Sequence, residues 1–144
     1  MLASAEAERP LEWRVPVTGE EGIVAARQQA REAARGLGFG LVDQSRIATA
    51  VSELARNVVR YATGSRGEVQ IRELAASDMG IGLEIVVRDD GPGLANVEQA
   101  LRDGFSSGTG LGMGLPGARR LMDEMEIDSQ SGRGTAVTIR KWRR

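Results

Sequence analysis

Apolar and polar residues alternate at Ile81, Leu83, Ile85 and Val87, and a period of two over that length predicts a strand with one buried face. The same alternation at Trp13, Val15 and Val17 predicts an earlier strand over Leu11–Val17, with Pro16 arguing for a sheet edge. Residues 1–10 read as a frayed start. The period then lengthens. Ile23, Ala26, Ala30, Ala33 and Leu37 share one face of a helix expected from about Glu21 to Leu37, with capping-box spacing at Thr18-Gly19-Glu20-Glu21 and an end at Gly36, Gly38 and Gly40. Ile47, Val51, Leu54, Val58 and Tyr61 form the buried stripe of a second helix, opened by Asp43 and running to about Ala62. Glu68–Leu74 reads as a strand paired in a hairpin with Ile81–Val87. A short helix capped by Asn96 runs through Val97, Ala100 and Leu101, and a longer one runs from Leu115 to Met125. Strands at Glu126–Ser131 and Thr135–Trp142 follow, joined by Gly132-Arg133-Gly134.

Chemistry-bearing residues fall at the ends of these elements. At about 100° per residue, Asn57 lies just beside the buried stripe of the second helix and Glu53 one step further out on the same side. Arg46 and Arg60 share that side, and Arg56 points away. A carboxylate and an amide at such a border are either a solvated rim or an acid and a metal ligand presented to a cleft. The Ile81–Val87 strand leads into Asp89-Asp90-Gly91-Pro92-Gly93. That stretch alone is equally well a tight turn or a place where a ligand approaches the main chain. Glycine recurs at 104, 108, 110, 112 and 114 ahead of the Leu115 helix, a pattern that fits a flexible loop or a phosphate cradle. Gly112-x-Gly114-x-x-Gly117 matches a dinucleotide fingerprint literally, but no strand runs directly into it, which argues against that fold.

Composition narrows these readings. The 144 residues are enough for one domain with its own core, expected over 1–144, at 41% apolar, 27% charged and net charge −1. No attraction to nucleic acid or anionic membranes is expected. No membrane-length apolar run or signal-peptide pattern is visible, so a cytoplasmic location is expected. There is no cysteine and no histidine, and Lys141 is the one lysine. A histidine base, a His- or Cys-ligated metal and a P-loop are thereby excluded, and the Ser106-Ser107 pair has no histidine to activate it.

Four motifs in order carry a resemblance: Glu53-x-x-x-Asn57, Asp89-x-Gly91-x-Gly93, Gly110-x-Gly112-x-Gly114 and Gly132-x-Gly134-Thr135. Together they resemble the ATP-binding domain of the gyrase, Hsp90, histidine kinase and MutL (GHKL) superfamily, over essentially the whole chain. The wording Glu20–Arg27, Glu53–Asn57, Asp103–Ser106 and Gly114–Gly117 is similar to the switch serine kinases of bacterial stressosomes. The resemblance implies an α+β two-layer sandwich, with a mixed, largely antiparallel sheet, helices on one face and ATP under a lid. It implies Mg²⁺ ligated by Asn57, Glu53 as general base and Asp89 on the adenine amino group. Gly91 and Gly93 would let the base approach, Gly110, Leu111, Gly112, Met113 and Gly114 would line the triphosphate, and Thr135 would help hold the adenine end. Ser107-Gly108-Thr109 stands where anti-sigma kinases of the family often carry an arginine, and Arg60 is a candidate for that charge by helix position. The implied activity is ATP- and Mg²⁺-dependent phosphorylation of STAS-domain scaffold proteins, followed by activation of a PP2C-type phosphatase. An anti-sigma factor kinase that binds a sigma subunit, and a nucleotide-gated binding module without catalysis, are the alternatives.

Overall fold

A computed structural model describes residues 12–61, 66–76, 78–91, 114–130 and 132–144. The frayed start, the helix capped by Asn96 and the loop expected over 104–113 lie outside them. The described residues form strands β1 (Glu12–Val17), β2 (Gly67–Ala76), β3 (Gly80–Asp89), β4 (Glu124–Gln130) and β5 (Gly134–Trp142), and helices α1 (Glu20–Gly36), α2 (Leu41–Tyr61) and α3 (Leu115–Leu121). The strands make one sheet in the order β1-β2-β3-β5-β4. Every described pairing is antiparallel, so the expected mixed character is absent among the described residues. β1 lies at the edge, as Pro16 requires.

The alternation decides which face is covered. Val17, Val69, Ile71, Leu83, Ile85, Val87, Val137 and Ile139 are each 5% exposed or less. They pack against Ile23, Ala26 and Ala30 of α1, Ile47, Val51 and Leu54 of α2, and Leu115 and Ala118 of α3. Burying each large aliphatic side chain stabilises the fold by about 1.5–3 kcal/mol. Alanines at 26, 30, 33 and 34 of α1 and at 48 and 55 of α2 are buried, which suits closely packed helices. Ser52 interrupts this small-residue surface. It is 9% exposed, and its hydroxyl finds no hydrogen-bond partner among the described residues.

Helix ends differ from expectation in three places. Gly19 is the N-cap of α1 and no side chain caps it, so the Thr18 capping box does not form. Helix α2 begins at Leu41, ahead of Asp43, whose carboxylate instead meets Arg46 at 3.1 Å and Lys141 at 3.8 Å. Helix α3 stops at Leu121 rather than Met125, because Met122 turns extended and Glu124 enters β4. The end of α1 is as expected. Gly38, at φ +88°, donates to the Arg35 carbonyl while Phe39 donates to that of Ala34, a Schellman termination.

The other sheet face is a charged ladder across four strands. Glu84 of β3 accepts from Arg72 Nε at 2.7 Å and Arg140 Nε at 2.8 Å, and Arg140 also meets Glu124 at 3.1 Å and Glu126 at 2.6 Å. Burial opposes the Glu84 charge, but the hydrogen bonds from Arg140 and Arg72 outweigh it and hold its carboxyl below the ordinary value of 4.5.

Two stability predictions follow from these groups. Glu84→Gln is expected to cost about 2 kcal/mol at pH 7, the worth of charged hydrogen bonds lost to a neutral amide. A depressed folded pKa gives stability that is present above the unfolded value and lost as pH falls through the folded one. The gap between wild type and variant in denaturant melts should therefore narrow below about pH 4.5. Ser52→Ala removes a buried, unpaired hydroxyl, so the same melts should show unchanged or higher stability, by up to about 1 kcal/mol.

Candidate functional site

Glu53 and Asn57 lie one turn apart on α2, both half-buried at the border of its core-facing side. The placement expected from helical spacing holds. The expectation for Arg56 does not: its guanidinium reaches back one turn to Glu53, Nη1 to Oε1 at 3.7 Å. Arg60 is exposed in the last turn of the same helix.

Asn57 meets the start of α3. A Cβ built on Gly114 would fall 2.7 Å from Asn57 Nδ2 and 3.2 Å from its Oδ1. The missing side chain at 114 is therefore the space that the Asn57 amide occupies. The structure thus brings together two residues far apart in sequence. Gly93, Gly110, Leu111, Gly112 and Met113 lie outside the described residues.

The second group forms at the end of the sheet where β3 finishes. Asp89 is the last residue of β3, on the same face as Val87 and Ile85. Its Oδ1 accepts the Gly91 N–H at 2.9 Å, which closes the turn as a local side-chain bond. Asp90 locks that turn to the segment before β2: its Oδ1 accepts the Arg66 N–H at 2.6 Å, and its own N–H donates to the Arg66 carbonyl at 3.2 Å. Thr135 faces Asp89 across the β3–β5 pairing, and Ser129 faces Thr135 across β4–β5. The Ser129 and Thr135 hydroxyls are 2.8 Å apart. Sequence reasoning missed Ser129. The signal was the alternation Met125, Ile127, Ser129, in which a hydroxyl takes the last core-facing place.

Gly134 makes this corner possible. Its φ is +86°, and a Cβ there would strike the Asp89 carbonyl oxygen and lie 2.9 Å from Asp90 Cα. A cavity of about 310 Å³ opens at the corner, lined by Asp89, Gly134 and Thr135 together with Arg88, Asp128, Arg133 and Ala136. It takes in the Asp89 group and not Glu53 or Asn57.

Chemically, the two groups differ. The corner offers a carboxylate with one oxygen used by the turn, beside a hydroxyl pair; Asp89 and Thr135 also line the cavity, whose Arg88, Ala136 and Asp128 form a rung of the other sheet face. The α2–α3 border offers a carboxylate and an amide. Among the described residues no cluster of three metal-ligating acids occurs, so an ion here would take most of its ligands from a bound anion and water, as Mg²⁺ does beside phosphates.

Helices on one face of an antiparallel sheet are the architecture of a histidine kinase-like ATPase domain. Residues 18–141 match the histidine kinase-like ATPase domain, and the chain belongs to that family. Within it, the chain is similar to the serine/threonine-protein kinase RsbT of Bacillus subtilis (strain 168), at 49% identity over 131 residues, covering 90% of this chain and 96% of that protein. By this relationship the chain is a protein serine/threonine kinase that uses a nucleotide. It is also similar to the anti-sigma F factor of Clostridium beijerinckii, at 35% identity over 66% of this chain and 68% of that one. A solved structure of RsbU and RsbW domains from Mycobacterium tuberculosis shares the fold, with a TM-score of 0.62 at 21% identity over 94% of this chain; the chain spans 33% of that one. No helix among the described residues is long and apolar enough to cross a membrane.

The two glycines should respond differently to a methyl group. Gly134→Ala forces a strained φ and a clash with backbone that cannot swing aside, so a loss of roughly 2–4 kcal/mol is expected in melts. Gly114→Ala meets only a side-chain tip, so it should cost about 1 kcal/mol or less. It should instead move the Asn57 side-chain amide resonances in NMR spectra.

Proposed function

We propose that this chain is a single-domain, Mg²⁺- and ATP-dependent switch kinase. It phosphorylates serine or threonine on STAS-domain scaffold proteins in the cytoplasm and, once released, activates a PP2C-type phosphatase. The observation that carries the catalytic part is the α2–α3 border, where the Asn57 amide lies against Gly114 with Glu53 one turn away on the same helix edge. The likeness to RsbT over nearly both chains supports the choice of partners.

In this reading the Asp89 oxygen not engaged by the turn accepts from the adenine amino group, with Gly91 and Gly93 letting the base lie close and Thr135 at its edge. The loop Gly110, Leu111, Gly112, Met113 and Gly114 surrounds the triphosphate. Asn57 offers its amide oxygen to Mg²⁺, and the fit is the space Gly114 leaves for that amide. The ion supplies charge neutralisation on the phosphates. Glu53 takes the proton from the attacking hydroxyl as its oxygen bonds to the γ-phosphorus and the bond to the β-phosphate oxygen breaks, leaving ADP. Phosphoryl transfer needs positioning and charge neutralisation above all, which suits a chain without histidine.

The test is radiolabelled ATP with a purified STAS-domain protein, beside nucleotide and partner binding on the same variants. Glu53→Gln is expected to keep both binding activities and to lower phosphoserine formation by roughly 10²–10⁴-fold. Asn57→Ala is expected to lose nucleotide affinity and transfer together. A wild-type rate for Glu53→Gln would remove Glu53 as the base. A wild type that binds ATP and partner yet transfers nothing would make the chain a nucleotide-gated binding module. Transfer that requires a sigma subunit would favour the anti-sigma reading, which the Clostridium relative supports.

A further inference from the structure

Helix α3 is seven residues long, and each of its ends is tied to α2. At its start, the Asn57 amide of α2 fills the place that Gly114 leaves empty. At its finish, Lys141 Nζ donates to the Leu121 carbonyl at 3.0 Å and lies 3.8 Å from Asp43 in the first turn of α2. The two ties sit at opposite ends of α2, so the two helices run antiparallel. Lys141 is the one lysine of the chain and is 4% exposed. Nothing in the proposed phosphoryl transfer uses it.

The first half of α3 is held by burial of Leu115, Pro116, Gly117 and Ala118. Its last turn is not: Arg119 and Arg120 are exposed and Leu121 is half-buried. A helix this short gains little from its own hydrogen bonds, and its last carbonyls favour a cation. Beyond it, Asp123 is tied to β5, donating to the Arg140 carbonyl at 2.9 Å and accepting the Trp142 N–H at 2.8 Å. Those bonds fix the chain after α3 to the sheet, and Lys141 adds the link to α2. The ammonium is not needed to pair either acid, since Asp43 keeps Arg46 and Asp123 keeps Arg144, each at 3.1 Å. Its consequence is where α3 lies along α2. A Cβ at 114 would fall 2.7 Å from Asn57 Nδ2, so a small slide of α3 changes the room that the Asn57 amide has.

We propose that Lys141 is a positioning residue for Asn57. By holding the end of α3 to the first turn of α2, it keeps Gly114 against the Asn57 amide and that amide aimed at the phosphate-bound ion. This rests on the reading of Asn57 given under the proposed function. Lys141 itself touches neither nucleotide nor ion and acts on them through α3.

The test is a double-mutant cycle of Lys141→Met and Asn57→Ala, read by calorimetry with ATP in Mg²⁺ and with ATP in EDTA. Methionine keeps the buried stem and removes the ammonium. Lys141→Met is expected to bind Mg-ATP roughly 3- to 10-fold more weakly, as residues that act on a ligand from a distance do. It should bind ATP in EDTA as wild type does. In the Asn57→Ala background it should bring no further loss, because both changes remove the same interaction. In NMR spectra of the free protein, Lys141→Met should move the Asn57 side-chain amide resonances. If Lys141→Met does not fold, Asp43→Asn, which weakens the tie to α2 alone, decides by the same cycle. Equal losses with and without Mg²⁺ would mark a merely structural lysine and overturn the inference, and so would additive losses in the cycle or unmoved Asn57 resonances. Wild-type Mg-ATP affinity in Asn57→Ala would overturn the reading of Asn57 and this inference with it. A weakened Asn57→Ala beside an unaffected Lys141→Met would overturn this inference alone.

Discussion

Strands β3 and β5 can run side by side to their last rung because residue 134 has no side chain. Gly134 rests directly on the Asp89 carbonyl and close to Asp90 Cα, at a φ that L side chains rarely adopt. That contact keeps Asp89 opposite Thr135. The turn after Asp89 then has nowhere to drift, since Gly91 is tied to the Asp89 carboxylate and Asp90 to both backbone groups of Arg66. The end of β3 and its carboxylate are thus held by main chain on two sides. The α2–α3 border repeats the device with a smaller obstacle, where Gly114 makes room for an amide instead of a backbone.

The two faces of the sheet are stabilised by different physics, and the difference leaves the site its freedom. The covered face is held by non-directional burial of Val, Ile and Leu. The open face is held by directional charged hydrogen bonds that converge on Glu84, whose side chain is only 8% exposed. Removing one partner of such a group costs far more than replacing the whole set, so this ladder fixes the register of β2, β3, β5 and β4. With register fixed from the open side, the last covered rung can be polar without endangering the sheet.

What was legible in the sequence is what one element decides alone. A period of two located the strands, and helical spacing put Glu53 and Asn57 at the border of a buried stripe. What was illegible depended on a second element. The apolar spacing of Leu121, Met122 and Met125 extends the Leu115 helix on paper. In the fold, Asp123 accepts the Trp142 N–H at 2.8 Å and Glu124 pairs with Arg140 at 3.1 Å, so β5 draws the chain into a strand there. Asp43 looked like a cap because its use by Lys141 of β5 is invisible along α2. Arg56 was misplaced because a helical wheel locates Cα atoms, while a long side chain spans a turn. Ser129 needed the β4–β5 register before a hydroxyl in a strand became a neighbour of Thr135.

The single lysine marks how charge is distributed in this fold. Lys141 continues the covered side of β5 beyond Val137 and Ile139, at the end of the strand away from Thr135, and is 4% exposed. Its ammonium donates to the Leu121 carbonyl at 3.0 Å, with Asp123 at 3.7 Å and Asp43 at 3.8 Å. It therefore joins the end of α3, the first turn of α2 and β5, and a buried ammonium so engaged has no reach left for a phosphate. Histidine is absent altogether. Positive charge at a phosphate must then come from arginine or from a metal ion. Arginine stays ionised at any physiological pH, and on the proposed reading an ion held by the Asn57 amide would arrive with the nucleotide. On the proposed reading, the proton of the attacking hydroxyl goes to the Glu53 carboxylate, with no histidine in the chain to take it instead.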